Sequence, residues 1–308
     1  MHDLMMNEPG RPILIAGPTA SGKSSLALEL ARHTHGCIIN ADALQVYACW
    51  KILTARPGDQ DMATCPHRLF GYVGMNESYS VGRWLRDLKS VLVKCRSKNL
   101  RPIIVGGTGL YLTSLTTGLI EIPGIPRVVR NEADRIRLET PARFSEDLLA
   151  YDPETANTID IRNPVRAQRA WEVLTATGIG LAQWHRTPHS PVLPTVSARA
   201  FVLNATAEWL LPRIRSRFEH MVSRGALDEV RSAMEAGYDR RKPSCKALGA
   251  SELVSFINGE HSLPEAIELA TIRTRQFAKR QRTWFRNKMA DWECVAAGIS
   301  AKDLVPRL

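Results

Sequence analysis

Gly17-Pro18-Thr19-Ala20-Ser21-Gly22-Lys23-Ser24 is the stretch whose reading decides the fold. It follows the apolar run Ile13-Leu14-Ile15-Ala16 and precedes Leu26-Ala27-Leu28-Glu29-Leu30-Ala31, which suits a helix. The pattern is G-x-x-x-x-G-K-[ST] in a strand–loop–helix setting. Glycines let the backbone curl so that successive N–H groups point inward, and the helix N-terminus adds partial positive charge. Lys23 then neutralises phosphate oxygens, and the Ser24 hydroxyl is placed to hold a Mg²⁺ ion. The alternative is a glycine-rich turn without a ligand. The full pattern in its context favours phosphate binding, with Gly17 to Ser24 as the candidate ligands.

Outward from the loop, Gly36-Cys37-Ile38-Ile39 reads as a short strand ending in Asn40-Ala41-Asp42. Ligands collect at the carboxyl ends of strands in a parallel α/β sheet, so Asp42 stands where it can work beside the loop. Its other reading is a turn or helix cap. Arg68 to Val73 reads as another strand. Ser80 can cap a helix whose apolar positions are Val81, Trp84, Leu85, Leu88, Val91 and Leu92. Arg101 to Val105 is a buried strand that turns through Gly106-Gly107-Thr108-Gly109 into a helix. Thr108 is either a second hydroxyl near the phosphates or a turn-stabilising residue. No acidic residue follows this strand, which disfavours a mechanical or switch NTPase.

From about residue 117 the texture changes. Ile122-Pro123-Gly124-Ile125-Pro126 breaks the pattern, and helical stretches follow with Arg127, Arg130, Arg135, Arg137 and Arg143. Asp152-Pro153 and Asn163-Pro164 open further helices, and Pro188, Pro191 and Pro194 mark a long loop. Arg199 to Asn204 is a strand returning to the sheet, and Trp209 to Met221 is a helix carrying Arg213, Arg215 and Arg217. The expected architecture is α/β, a P-loop NTPase-like parallel sheet flanked by helices. It has core residues 1–116, a helical insertion over 117–196, and a second core part with basic C-terminal helices over 197–308.

The formal net charge of +10 and the pI of about 9.6 favour an acidic partner, with nucleic acid the leading class. Along 271–288, Arg273, Arg275, Lys279, Arg280, Arg282, Arg286 and Lys288 interleave with Phe277, Trp284 and Phe285. That suits a nucleic-acid backbone as well as it suits a solvated face. The six cysteines form no C-x-x-C pair, and no histidine sits at metal-ligand spacing. With no apolar leader and no run long enough to cross a membrane, a soluble cytoplasmic protein is expected.

Together these motifs resemble the tRNA dimethylallyltransferases, the isopentenyl-transferring enzymes that modify adenosine next to the anticodon. The stretches that carry the resemblance are Gly17–Ser24, Asn40-Ala41-Asp42 with Gln45-Val46-Tyr47, and Gly106 to Tyr111. Asp152 to Ala156, Arg166 to Val173 and Thr274 to Gln281 extend it over nearly the whole chain. The resemblance implies dimethylallyl diphosphate as donor, with its diphosphate in the loop beside Mg²⁺, and N6 of an adenine in a tRNA anticodon stem-loop as acceptor. Asp42 is then the base for the N6 proton. Lys23, Ser24, Thr108 and an arginine stabilise the leaving diphosphate; that arginine is Arg217, with Arg213 as the alternative. Segments matching the family's tRNA-contacting regions are Asp42, Ala43, Leu44 and Gln45, then Arg166, Ala167, Gln168, Arg169 and Ala170, then Lys246 to Gly249, and Arg280 and Trp284 on the basic helix. A monomer with no membrane partner is expected.

The chain departs from the commoner family pattern at Ala43, where many members carry serine. It departs again at Gly249-Ala250-Ser251-Glu252, which lacks an aromatic and a cation. A small-molecule kinase shares the loop but leaves the basic insertion and the basic-aromatic helix without a task. Prenylation of free adenine nucleotides and non-catalytic RNA binding are the other readings; intact Lys23, Ser24 and Asp42 argue against the last.

Overall fold

The computed structural model describes residues 10–308. Six parallel strands form one sheet in the order β3-β2-β4-β1-β5-β6. They are β1 (Ile13–Ala16), β2 (Gly36–Asn40), β3 (His67–Arg68), β4 (Arg101–Gly106), β5 (Arg199–Asn204) and β6 (Glu293–Ala296). The strands β1, β2 and β4 are buried along their whole length, as continuous apolar runs in a sheet covered on both faces require, whereas β5 is exposed at both ends. Register sets the site. Ala16 lies opposite Gly106, and Asn40 opposite Val105. The segments that follow β1, β2 and β4 therefore leave the sheet side by side at its carboxyl edge, where ligands bind in open α/β folds.

The first helices are α1 (Lys23–Thr34), α2 (Asp59–Thr64), α3 (Val81–Ser97) and α4 (Gly109–Thr117). Ser80 caps α3 as its position predicts, its hydroxyl accepting from the Arg83 N–H at 3.2 Å. Arg68 to Val73 is not a strand. Only His67 and Arg68 pair with β2, because Leu69 (φ 64°) and Gly71 (φ 58°) take left-handed conformations that turn the chain out of the ladder. Val73 returns for a single bridge to Tyr47.

The chain divides into two compact units, one reaching to Thr117 and resuming over Pro191–Leu308, the other Gly118–Ser190. The second is all helical: α5 (Arg127–Glu139), α6 (Arg143–Tyr151), α7 (Pro153–Thr158), α8 (Pro164–Thr177) and α9 (Leu181–His185). Asp152 and Asn163 cap α7 and α8 through their side-chain oxygens, each with proline just inside the helix. Ile136, Phe144, Leu148 and Trp171 fill the small core, and the Trp171 Nε1–H donates to Asp147 Oδ2 at 2.8 Å.

After β5 the first unit continues with α10 (Ala207–Ser223), α11 (Ala226–Glu235), α12 (Ala250–Ile257), α13 (Leu263–Lys288), the edge strand β6 and the short α14 (Ala301–Leu304). Helices α10 to α13 build a second core around Val46, Tyr47, Trp50 and Leu53, which follow β2. The Trp50 Nε1–H donates to the Ser244 carbonyl at 2.7 Å. Glu229 on α11 accepts from the backbone N–H groups of Lys51, Ile52 (2.8 Å) and Leu53 (2.9 Å). One carboxylate thus satisfies three amides of an irregular segment. Glu229→Ala leaves them unpaired and is expected to cost about 2 kcal/mol, read as a lower urea midpoint, whereas Glu229→Gln retains an acceptor and loses less. Equal midpoints for all three proteins would mean that core packing alone holds the segment.

Candidate active site

A cleft of about 630 Å³ opens at the carboxyl edge of the sheet, lined by parts of the phosphate loop, the segment after β2, the turn after β4, and α10 and α13. In the loop, Ala20 (φ 62°) and Gly22 (φ 87°) adopt left-handed conformations that curl the backbone into the start of α1. Thr19, Lys23 and Ser24 face the cleft. Gly17 and Ser21 are buried: a Cβ on Gly17 would stand 2.7 Å from the Ser21 hydroxyl and 3.2 Å from Leu203. They shape the loop, and so does Pro18, whose carbonyl accepts from the Ser21 N–H and from Lys23 Nζ.

Asp42 is held by its neighbours. The Asn40 side chain, fully buried, accepts from the Asp42 N–H at 2.8 Å and donates to the carbonyls of Asp42 and Leu69. Asp42 Oδ1 accepts from the Leu44 N–H at 2.9 Å and, at 3.4 Å, from Gln45. That is the cap reading, and it occupies one oxygen. Among the described residues Oδ2 accepts no hydrogen bond, and Asp42 lines the cleft. The two readings of this residue are therefore compatible. The same holds for Thr108: its hydroxyl oxygen accepts from the Ala43 N–H at 2.9 Å, which leaves its proton free to donate into the cleft.

Two cations, Lys23 and Arg217, share the cleft with Asp42. Burial lowers the Lys23 pKa to about 8; Asp42 opposes the shift and Arg217 adds to it. Burial also lowers Arg217, again opposed by Asp42. Arg217 lines the cleft, whereas Arg213 lies 3.6 Å over the Trp209 ring and donates to the Trp209 carbonyl. Of the two arginines, Arg217 is the one that lines the cleft.

The segments expected to face RNA divide in the same way. Ala43 and Leu44 line the cleft beside Asp42, and so do Lys246, Arg280 and Trp284. The Gln45 Nε2 protons are committed to the carbonyls of Thr54 (2.8 Å) and Ala55 (3.2 Å), so only its Oε1 is available to a ligand. In the helical unit Arg166 and Arg169 are exposed, but the side chains of Ala167, Gln168 and Ala170 are buried. Side-chain contact from that run is thereby restricted to the two arginines. Gly249 is a backbone device: it starts α12 at φ 87°, and a Cβ there would sit 2.1 Å from the Phe218 ring.

Sequence reasoning reached Gln281 only as the end of the family-like stretch Thr274 to Gln281, without a role, and did not find the packing role of the glycines after β4. A Cβ on Gly106 would lie 2.1 Å from the Ala41 carbonyl oxygen, on Gly107 2.3 Å from Gln281 Nε2, and on Gly109 2.2 Å from Trp284. Gln281 accepts from the Thr19 N–H and donates to the Gly107 carbonyl, both at 2.8 Å. The helical spacing of Gln281 and Trp284 was the available signal, although the target of such a face is not written in local sequence.

The fold and cleft define a P-loop NTPase-like α/β protein with a carboxylate beside its phosphate loop. The chain belongs to the IPP transferase family, whose sequence model matches residues 45–288; a model described as isopentenyl transferase matches residues 11–70. It is 52% identical over 298 residues to a tRNA dimethylallyltransferase of Dinoroseobacter shibae, covering 97% of this chain and 99% of the relative. It is 50% identical to the one from Ruegeria sp., covering 96% and 99%. Among solved structures it is similar to a tRNA isopentenylpyrophosphate transferase of Staphylococcus epidermidis, with TM-score 0.65 and 30% identity over 96% of this chain and 97% of that one. A eukaryotic dimethylallyltransferase acting on tRNA superposes with TM-score 0.78 at 26% identity, over 93% of this chain and 73% of that one.

Proposed function

We propose that the protein is a tRNA dimethylallyltransferase. It moves the dimethylallyl group of dimethylallyl diphosphate to N6 of the adenosine 3′ to the anticodon and releases diphosphate. The observation that carries this reading is the Asp42 oxygen left free in the same cleft as the phosphate loop and Arg217. The bond between C1 and the diphosphate oxygen breaks, and its electron pair stays on the diphosphate. The N6 lone pair forms the new C–N bond, and the N6 proton goes to Asp42 Oδ2. Charge gathers on the leaving diphosphate, which Lys23, Arg217, the Thr108 O–H and the loop N–H groups are placed to stabilise.

Mg²⁺ fits this donor set. Ser24 presents an exposed hydroxyl in the first turn of α1, and no cluster of His, Cys, Asp or Glu suited to a metal cage occurs among the described residues. That is the setting for an ion held mainly by substrate phosphates and water, with Ser24 as its protein ligand. When bound, Mg²⁺ neutralises charge on the leaving diphosphate.

The acceptor adenine must leave its stack to reach Asp42. Lys246 and Arg280, which line the cleft, are then placed for the phosphates of the anticodon stem-loop, and the helical unit by itself offers further cations. Within that unit Arg135 is paired with Glu132 and Glu139, and Arg186 with Glu154. Arg127, Arg130 and Arg166 are exposed without an acidic partner among the described residues and suit phosphate contact best. The protein is taken to act as a monomer in the cytoplasm, where its six free thiols stay reduced. No helix among the described residues is long and apolar enough to cross a membrane.

The test is incubation with Mg²⁺, dimethylallyl diphosphate and unmodified tRNA, followed by nucleoside mass spectrometry. Prenylated adenosine at the position 3′ to the anticodon is expected. ATP hydrolysis or phosphoryl transfer without prenylation would overturn the assignment.

A further inference from the structure

α13 carries the basic and aromatic side chains, and among them one uncharged polar residue, Gln281, is buried where the helix meets the cleft. Gln281 is 6% exposed, and its amide spans the loops that follow the paired strands β1 and β4: it accepts from the Thr19 N–H and donates its own N–H to the Gly107 carbonyl, both at 2.8 Å. Thr19 belongs to the phosphate loop, and Gly107 precedes Thr108. One turn along the helix, Trp284 lies against Gly109 and its Nε1–H donates to Thr113 Oγ1 at 3.1 Å. Each contact needs a glycine beneath it, since a Cβ on Gly107 or Gly109 would overlap Gln281 or Trp284. The turn after β4 is thus shaped to receive this helix.

We propose that Gln281 is a positioning residue for the donor site, fixing the separation between the phosphate loop and Thr108 and tying both to the helix that presents Arg280 and Trp284 to the cleft. Gln281 borders the cleft, but the hydrogen bonds of its amide go to the two loops, so it acts through the loops it bridges. A diphosphate bound in the loop takes N–H groups from one bridged segment and the Thr108 hydroxyl from the other, so a change in their spacing weakens both sets of contacts at once. Because the bridge stands on α13, whatever RNA does to that helix reaches the diphosphate site, and the coupling is reciprocal. This deepens the proposed reaction and rests on it only for the RNA half.

The experiment measures inorganic pyrophosphate binding to the full-length protein in Mg²⁺ by calorimetry, with and without unmodified tRNA, alongside steady-state transfer. Gln281→Met keeps the volume and helix propensity and removes both hydrogen bonds. It is expected to bind pyrophosphate about 10-fold more weakly. It should also lower kcat/KM for the donor by 10-fold or more, with tRNA affinity within about 2-fold of the parent. Gly107→Ala pushes the amide off the Gly107 carbonyl from the other side and should weaken pyrophosphate in the same direction. The two changes together should cost no more than about the larger alone. A gain in pyrophosphate affinity on adding tRNA should be present in the parent and lost in Gln281→Met. Should Gln281→Met not fold, Gly107→Ala alone decides. Folded variants that bind pyrophosphate as the parent does would overturn the proposal. Pyrophosphate binding is independent of prenylation, so failure of the transfer assay with the predicted pyrophosphate losses would count against the reaction and not against the positioning role.

Discussion

Asp42→Asn is expected to lower the rate of prenyl transfer by about 10²–10⁴-fold, the usual contribution of a positioned general base, with tRNA affinity within about 2-fold of the parent. Asparagine is the informative choice because Asp42 does two things. Its Oδ1 accepts from the Leu44 and Gln45 N–H groups, and an amide oxygen can take over those bonds. The second position becomes an NH₂, which cannot accept a proton from N6. Asp42→Ala removes the turn contacts as well. If Asp42 serves as the base, both variants lose activity to a similar degree and only the alanine variant loses thermal stability. If Asp42 serves chiefly as a cap, the asparagine variant keeps most of its rate. A second consequence follows from charge: Asp42 raises the Lys23 pKa against the effect of burial, so either variant leaves Lys23 less basic than in the parent. Pyrophosphate binding should then fall off at lower pH than it does in the parent, which calorimetry across pH 7–9 checks.

Much of the sheet was legible because its inner strands are short apolar runs with loops of distinctive chemistry behind them. Ile13–Ala16 and Arg101–Gly106 are each followed by a glycine-rich turn, and their burial on both faces leaves no alternation to misread. Arg68–Val73 has strand-like composition, but the ladder stops where Leu69 turns left-handed, a conformation no propensity foretells for leucine. β6 escaped notice because only Val295 of its four residues is buried, too little for a period-two signal. The burial of Trp50 and Leu53 against α10–α13 is tertiary and has no local signature.

The candidate site was legible where chemistry requires a particular side chain at a particular offset, as in Lys23, Ser24 and Asp42. It was illegible where a residue's partner is distant in sequence. Gln45 looks like a polar reader beside Asp42, yet its amide protons belong to Thr54 and Ala55. Ala167 and Ala170 share a segment with Arg166 and Arg169, but positions three apart share a helix face, so the two alanines turn together into the core while the two arginines stay exposed. Gln281 bonds to Thr19 across 262 positions of chain, a pairing that only the folded sheet brings about.

Lys23→Met should abolish useful donor binding and yet make the free protein more stable at neutral pH. The reason lies in the direction of the Lys23 shift. Burial lowers its pKa from 10.5 to about 8, so between those values the unfolded chain holds a proton that the folded chain does not. Stability therefore rises with pH across that window; below about pH 8 the folded state carries the whole cost of a buried charge. Methionine has nearly the same reach and carries no charge, so its melting temperature should exceed the parent's at pH 7 and converge towards it as pH nears 10.5. Saturating pyrophosphate should reverse the order at pH 7, because only the parent gains from binding. Transfer should fall by about 10²–10³-fold, the loss expected when a charge that stabilises the departing group is removed. In the parent, kcat/KM for the donor should decline as pH rises through about 8, where free Lys23 loses its proton. Lys23→Arg, which stays charged, should not show that decline even if it is slower. A Lys23→Met variant that melts below the parent at pH 7, or a decline near pH 8 that survives in Lys23→Arg, would place the titrating group elsewhere. A stabilised but inactive variant would mean instead that the loop holds an unfavourable charge at rest because the diphosphate needs it there.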